Sequence, residues 1–142
     1  MIEVRPAGDG REVRAAIALR HGVFVDEQGV DAAQEHDGRD EEATHLVALR
    51  ESALVGTCRL LVDGDVVKLG RLAVAAPHRR RGVAARLLAE GERWAREHGS
   101  ARIVLHAQSY ARALYAAAGY RVVGNTFMEA GIEHVRMERS LA

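Results

Sequence analysis

A chain of 142 residues, 48% hydrophobic and 28% charged, has room for one core burying roughly two thirds of its unfolded surface; its balance excludes wholesale disorder, collagen-like repeats and low-complexity architecture. Twenty Lys and Arg offset twenty Asp and Glu, so no global charge favours a nucleic-acid or membrane partner. Apolar runs fall far short of the roughly 20 residues of a spanning helix, Met1 to Pro6 lacks a signal-peptide segment, Cys58 stands alone, and the seven His show no metal-ligand spacing. These features predict a cytoplasmic protein with one domain over residues 1–142 and no metal.

In chain order, Ile2 to Arg5 alternates like a half-buried strand, and Val13, Ala16, Ile17, Arg20 and Phe24 recur at helical spacing after Asp9-Gly10. Asp26 to Glu42 reads as an acidic loop with at most one short helical piece. Thr44 to Arg50, Leu54 to Val62 and Val66 to Val74 predict an antiparallel meander, turned at Glu51-Ser52 and at Asp63-Gly64-Asp65. An amphipathic helix follows from about Gly82 to His98, stopped by Gly99. Arg102 to Ala107 is another strand, and a short helix runs from a Ser109 cap through Leu114 to Ala118. Tyr120 to Val123 and Ile132 to Arg139 close the chain as a hairpin around Glu129-Ala130-Gly131. The whole predicts a mixed α/β domain without repeats.

Charge is unevenly placed. Asp26, Glu27, Asp31, Glu35, Asp37, Asp40, Glu41 and Glu42 face a single Arg39, whereas Arg71, Arg79, Arg80, Arg81 and Arg86 cluster in a stretch, residues 66–89, that has no acid. Two ligands of opposite charge, or two solvated faces, would account for this. Arg79-Arg80-Arg81-Gly82-Val83-Ala84 stands between a strand and a helix. Unpartnered amides at a helix start, small residues and forked guanidinium donors suit phosphate there. Neither the Gly-Lys-Ser/Thr phosphate loop nor the three-glycine dinucleotide pattern is present, which disfavours a nucleotide hydrolase or a nicotinamide oxidoreductase.

Arg79-x-x-Gly82-x-Ala84 resembles the Arg/Gln-x-x-Gly-x-Gly/Ala signature of the GNAT superfamily of acyl-CoA-dependent N-acyltransferases. Gln108-x-x-Ala111-x-x-Leu114-Tyr115-x-x-x-Gly119-Tyr120 resembles the family's Asn-x-x-Ala-x-x-Leu-Tyr-x-x-x-Gly-Phe segment, one helix and one strand later. Val23 to Gln28 and Glu129-x-Gly131-Ile132-x-His134 further resemble the YjcF/ElaA-like branch. The resemblance implies a mostly antiparallel sheet flanked by helices and splayed at a cofactor cleft between Leu69 to Val74 and Arg102 to Ala107. It implies acetyl-CoA as co-substrate, the main chain of Leu72, Ala73 and Val74 bonding its pantetheine arm. Amides of Arg80, Arg81, Gly82, Val83 and Ala84 would hold the pyrophosphate, with Arg79 at the first signature position. Gln108 replaces the usual Asn, which leaves open how closely the bonding pattern is kept.

The chemistry so implied is direct acetyl transfer to a primary amine, a small molecule or a peptide, in a ternary complex. A lysine-type amine is neutral in only about one molecule in a thousand at neutral pH, a penalty of roughly 4 kcal/mol, so a base must take its proton. Glu27, His106, Glu129 and His134 are candidates, with Glu129 and His134 ahead through the branch resemblance. Tyr115 matches the tyrosine beside the CoA sulfur and is the expected general acid; it could equally be a core aromatic. Phe24, Glu27 and Gln28 lie where the family's first helices wall the acceptor site, and an acidic loop there would favour a cationic acceptor. Cys58 and Trp94 read as core residues. Two rivals remain: a polyanion or nucleic-acid binding module, opposed by the absent aromatic interleaving, and an acyl-CoA-binding domain without turnover. Edge strands of the C-terminal hairpin would suit a homodimer.

Overall fold

The computed structural model describes residues 1–142. Seven strands form one sheet in the order β1-β2-β3-β4-β5-β7-β6. They are β1 (Ile2–Pro6), β2 (Thr44–Arg50), β3 (Ala53–Asp63), β4 (Val66–Val74), β5 (Arg102–Gln108), β6 (Arg121–Glu129) and β7 (Ile132–Ser140). Only β4 and β5 are parallel neighbours, as their connection through helix α3 (Val83–Glu97) requires. Val67 and Leu69 of β4, Ile103 and Leu105 of β5, and Val83, Leu87 and Leu88 of α3 share one apolar core. Alternation along the strands therefore sends Lys68, Gly70 and His106 to the opposite face.

Two departures from the sequence expectation shape that face. The helix α1 (Gly10–Arg20), capped by the Asp9 carboxylate on the Glu12 amide at 3.0 Å, widens into a π-helical turn over His21–Glu27. The apolar spacing through Phe24 predicts one continuous helix; the extra residue per turn is visible only in the bonds, such as the Gln28 amide to the Val23 carbonyl. The closing hairpin is also longer than expected, because Gly124 at φ 83° lets β6 pass through an irregularity between Val123 and Phe127 and resume pairing to Glu129.

The acidic stretch is not simply a solvated loop. Around the short helix α2 (Ala32–Glu35), Arg20, with no exposure, donates to Glu35 at 2.9 Å and to Asp40 at 2.7 Å. Arg59 of β3 donates to Asp37 at 2.9 Å and to Asp40 at 3.1 Å. Arg71 of β4 donates to the Gln34 and Glu35 carbonyls at 3.1 and 3.2 Å and stands 3.3 Å from the Glu35 carboxylate. Three acids of the stretch thus neutralise three arginines brought from α1, β3 and β4. A second buried network fixes the chain after β5: the Tyr120 hydroxyl donates to Glu92 at 2.8 Å, and Arg139 bridges Glu92 and the Ala118 carbonyl.

Arg20→Met should remove the buried cation that Glu35 and Asp40 share, leaving them only Arg71 and Arg59, and cost about 3 kcal/mol, read as a lowered urea midpoint. The Arg59 bond holds Asp37 below the ordinary carboxylate range; burial works against Asp40, yet bonds from Arg20 and Arg59 leave it below as well. Both folded values lie under the unfolded one near 3.9, so this stabilisation is complete above about pH 5, starts to decline near pH 4 and is lost as pH falls on through the folded values. Urea titrations between pH 6 and 3 should show that decline, and Asp37→Asn should flatten it. A Cβ at Gly56 would meet Val83 Cγ1 at 2.8 Å and Leu87 Cδ1 at 3.1 Å. Gly56→Ala is therefore expected to lose about 1–3 kcal/mol by forcing α3 off the sheet.

Candidate active site

The cleft begins where two strands part. Val66, Val67 and Lys68 pair with Arg102, Ile103 and Val104, and pairing stops there, although β4 continues to Val74 and β5 to Gln108. An irregularity in the β3–β4 ladder explains the divergence. Arg59 is opposite Gly70 and Thr57 opposite Ala73, so β4 carries one residue more than β3, and Arg71 takes a left-handed φ of 54°. Such a bulge bends and twists its strand. The contacts of Arg71 with the α2 segment hold it in a conformation that a non-glycine residue rarely adopts.

A cavity of about 620 Å³ fills the gap. Leu69 to Val74 form one wall and Leu105, His106 and Gln108 the other, with Phe24, Gln28 and Tyr115 closing the sides. Beyond Val74 the main chain opens a second hollow of about 220 Å³ around Arg80, Gly82, Val83 and Ala84. Arg80 and Gly82 are left-handed, at φ 61° and 81°. The amides of Arg80, Arg81, Gly82, Val83, Ala84 and Ala85 have no acceptor within the protein. Alternating handedness directs such amides into a concave nest, and the helix dipole adds positive potential. Arg80 and Arg81 make no ion pair, so their charge stays available to a bound anion. Those features fit a diphosphate.

Arg79, at the first signature position, lines both hollows and is engaged within the protein. Its Nε donates to the Val74 carbonyl at 2.8 Å and its terminal nitrogen to Glu27 at 2.5 Å. It ties the π-helical turn to the end of β4 and also lines the hollow beside the nest. Glu27 is consumed by that pair and does not line the cleft, unlike Phe24 and Gln28. Gln108 Nε2 donates a hydrogen bond to Gln28 Oε1 at 2.8 Å across the cleft mouth, so the Gln108 side chain is engaged by the protein itself.

Tyr115 lies in the six-residue helix α4 (Arg112–Ala117), 8% exposed, edge-on to Tyr120 at 6.2 Å. Its hydroxyl makes no hydrogen bond in the protein, and burial pushes the phenol above its ordinary range. Across the cleft His106, Glu129 and His134 come together. The Glu129 carboxylate is 2.9 Å from His106 Nδ1 and 3.8 Å from His134 Nε2. Burial, the largest single effect, would raise Glu129, but the His106 bond together with the charges of His106, His134 and Lys68 leaves the carboxyl below its ordinary value. His134 Nδ1 donates to the Ile132 carbonyl at 2.7 Å. Pairing of Gln108 with His134 and of Phe127 with His134 delivers this cluster to the cleft.

Sequence reasoning names Glu129 and His134 together through the branch resemblance and His106 apart from them; their union with His106 depends on β7 inserting between β5 and β6. Lys68 and Arg59, which also line the cleft, escape it entirely. Strand alternation opposite His106 was the available signal. Cys58 is buried and its thiol is pushed up to about 12 by desolvation. Trp94 packs against the core from a half-buried position and stacks on His98.

Comparison with known proteins agrees with this geometry. The profile described as an acetyltransferase (GNAT) domain matches residues 14–141. The uncharacterized N-acetyltransferase YjcF of Bacillus subtilis is 33% identical over 132 residues, covering 92% of this chain and 94% of that protein. Among solved structures, an acyl-CoA N-acyltransferase from Pseudomonas aeruginosa superposes with a TM-score of 0.87 at 28% identity, and Escherichia coli ElaA with 0.86 at 27%, each over 98% of this chain and 99% of the other. Parted strands, amide nest, matched profile and near-complete superposition lead to one conclusion: the chain belongs to the acetyltransferase (GNAT) domain family.

Proposed function

We propose that the protein moves an acetyl group from acetyl-CoA directly to a primary amine while both are bound. The observation that carries this proposal is the parted pair β4 and β5 ending at six free amides. Residues 69–74 lack a partner strand on their β5 side, so their main-chain groups there can bond an extended amide-bearing arm as an added strand would. The nest takes the diphosphate at the arm's end, with Arg80 and Arg81 alongside.

His106 is the base that the geometry favours. With Nδ1 donating to the Glu129 carboxylate, the neutral ring keeps its lone pair on Nε2, and the carboxylate stabilises the imidazolium formed when the amine proton arrives. Glu129 then acts as a positioning residue, because a carboxylate held below its ordinary value is a weak proton acceptor itself. The amine nitrogen attacks the thioester carbonyl, an amide of the β4 wall stabilises the oxyanion, and the carbon–sulfur bond breaks. Tyr115 faces the departing sulfur as a hydrogen-bond donor. A phenol above its ordinary value near 10 does not surrender its proton fully to a thiolate whose ordinary value is about 8.5. Cys58, buried and with a raised thiol, is unsuited to an acyl-enzyme.

Initial-rate plots against acetyl-CoA and amine should intersect rather than run parallel, since parallel lines signal a covalent relay. Tyr115→Phe is expected to lower kcat at least 10-fold while the Kd for acetyl-CoA stays within a factor of two; an unchanged kcat removes the hydroxyl from the mechanism. His106→Gln should cost about 10²–10⁴ in kcat, and Glu129→Gln less.

A further inference from the structure

We infer that the amine acceptor carries an anionic group, a carboxylate or a phosphate, and that Lys68 receives it. This inference rests on the acetyl transfer proposed above and names its substrate class. Ten acidic, basic or histidine side chains line the cleft, and nine of them have an opposite partner in the protein. Arg39 pairs with Glu42, Arg59 with Asp37, Arg71 with Glu35, and Arg79 with Glu27. Glu129 is held by His106 and approached by His134. Of these ten, Lys68 alone has neither an ion pair nor a hydrogen bond, although it is half-buried.

The location suits a substrate contact. Lys68 stands on the last paired rung before the strands part, opposite Val104. His106 is two residues further along β5, on the same face, so the ammonium and the proposed base flank the floor of one compartment. Desolvation lowers the Lys68 ammonium, and Arg71, Arg59 and Arg39 add like-charge repulsion, while Glu129 is the nearby charge that favours it. An ammonium so placed gains more from an incoming anion than a solvated surface lysine does. The acids of the preceding loop, which from the sequence would favour a cationic acceptor, do not offer that charge: Glu35 and Asp37 are bound to Arg20, Arg59 and Arg71. An acceptor with its amine toward His106 and an oxyanion on Lys68 is therefore complementary, and a diamine would place its second cation against Lys68.

Matched amine pairs test this. O-phosphoethanolamine against ethanolamine, and glycine against glycinamide, differ chiefly in the anion. The wild-type protein with acetyl-CoA should favour the anionic member of at least one pair by 10-fold or more in kcat/KM, the two pairs distinguishing phosphate from carboxylate. Lys68→Met should bring that ratio to about 1, Lys68→Arg should keep most of it, and Lys68→Glu should invert it. Preference for the neutral members, or a ratio indifferent to Lys68→Met, overturns the inference. Should neither pair be turned over, calorimetric titration of the same four compounds into CoA-saturated protein decides. Binding of an anionic member that Lys68→Met abolishes sustains it, and no such difference ends it. Failure to bind acetyl-CoA at all would instead overturn the transfer proposal.

Discussion

After Lys68 and Val104 the two parallel strands at the middle of the sheet separate, and the remainder of the molecule is organised to keep them apart. Main-chain donors and acceptors seek partners, and leaving them unpaired in a shielded cleft costs about 1–3 kcal/mol for each buried group. A sheet free to relax would close. What prevents closure is the extra residue in β4, with Arg71 in a left-handed conformation. Arg71 is held in turn by the Gln34 and Glu35 carbonyls and by the carboxylates of the neutralised loop. The unpaired backbone is then a binding surface that an extended ligand can complete.

The ion-pair network beneath α2 connects this constraint to the charge of the site. Buried pairs stabilise little against an apolar alternative, but losing one member is severe. Arg20, Arg59 and Arg71 come from three elements distant in sequence, so their shared acids set the loop on the sheet face at one height and orientation. The same neutralisation removes the acids from the substrate's field. Lys68 is left as the charged group of the cleft floor without a partner.

On the opposite side, the Tyr120–Glu92–Arg139 network supports α4, which at six residues is too short to be stable alone. Tyr115 can therefore keep an unpartnered hydroxyl at a defined place. Holding a polar atom ready for a ligand is affordable only where rigid neighbours keep it from finding a substitute within the protein.

Strand alternation, the Asp-Gly-Asp turn and the amphipathic spacing of α3 are local properties, so the sheet's strands and the main helix were legible from residue order alone. The two signatures likewise carried the family and marked the corner of free amides, because such a nest is made from a few consecutive residues. The π-helical turn was not legible, since its difference from an α-helix lies in which carbonyl each amide chooses. Nor was the bulge at Arg71, where pairing with β3 decides. The fate of the acidic stretch was equally hidden: charge counting cannot tell a solvated loop from one clamped by arginines 15 to 37 residues away. The meeting of His106, Glu129 and His134, and the isolation of Lys68, arise because β7 lies between β5 and β6 while β4 turns away from β5. Those are long-range choices of partner, settled by burial and hydrogen bonding across the whole sheet, and only the tertiary structure makes them.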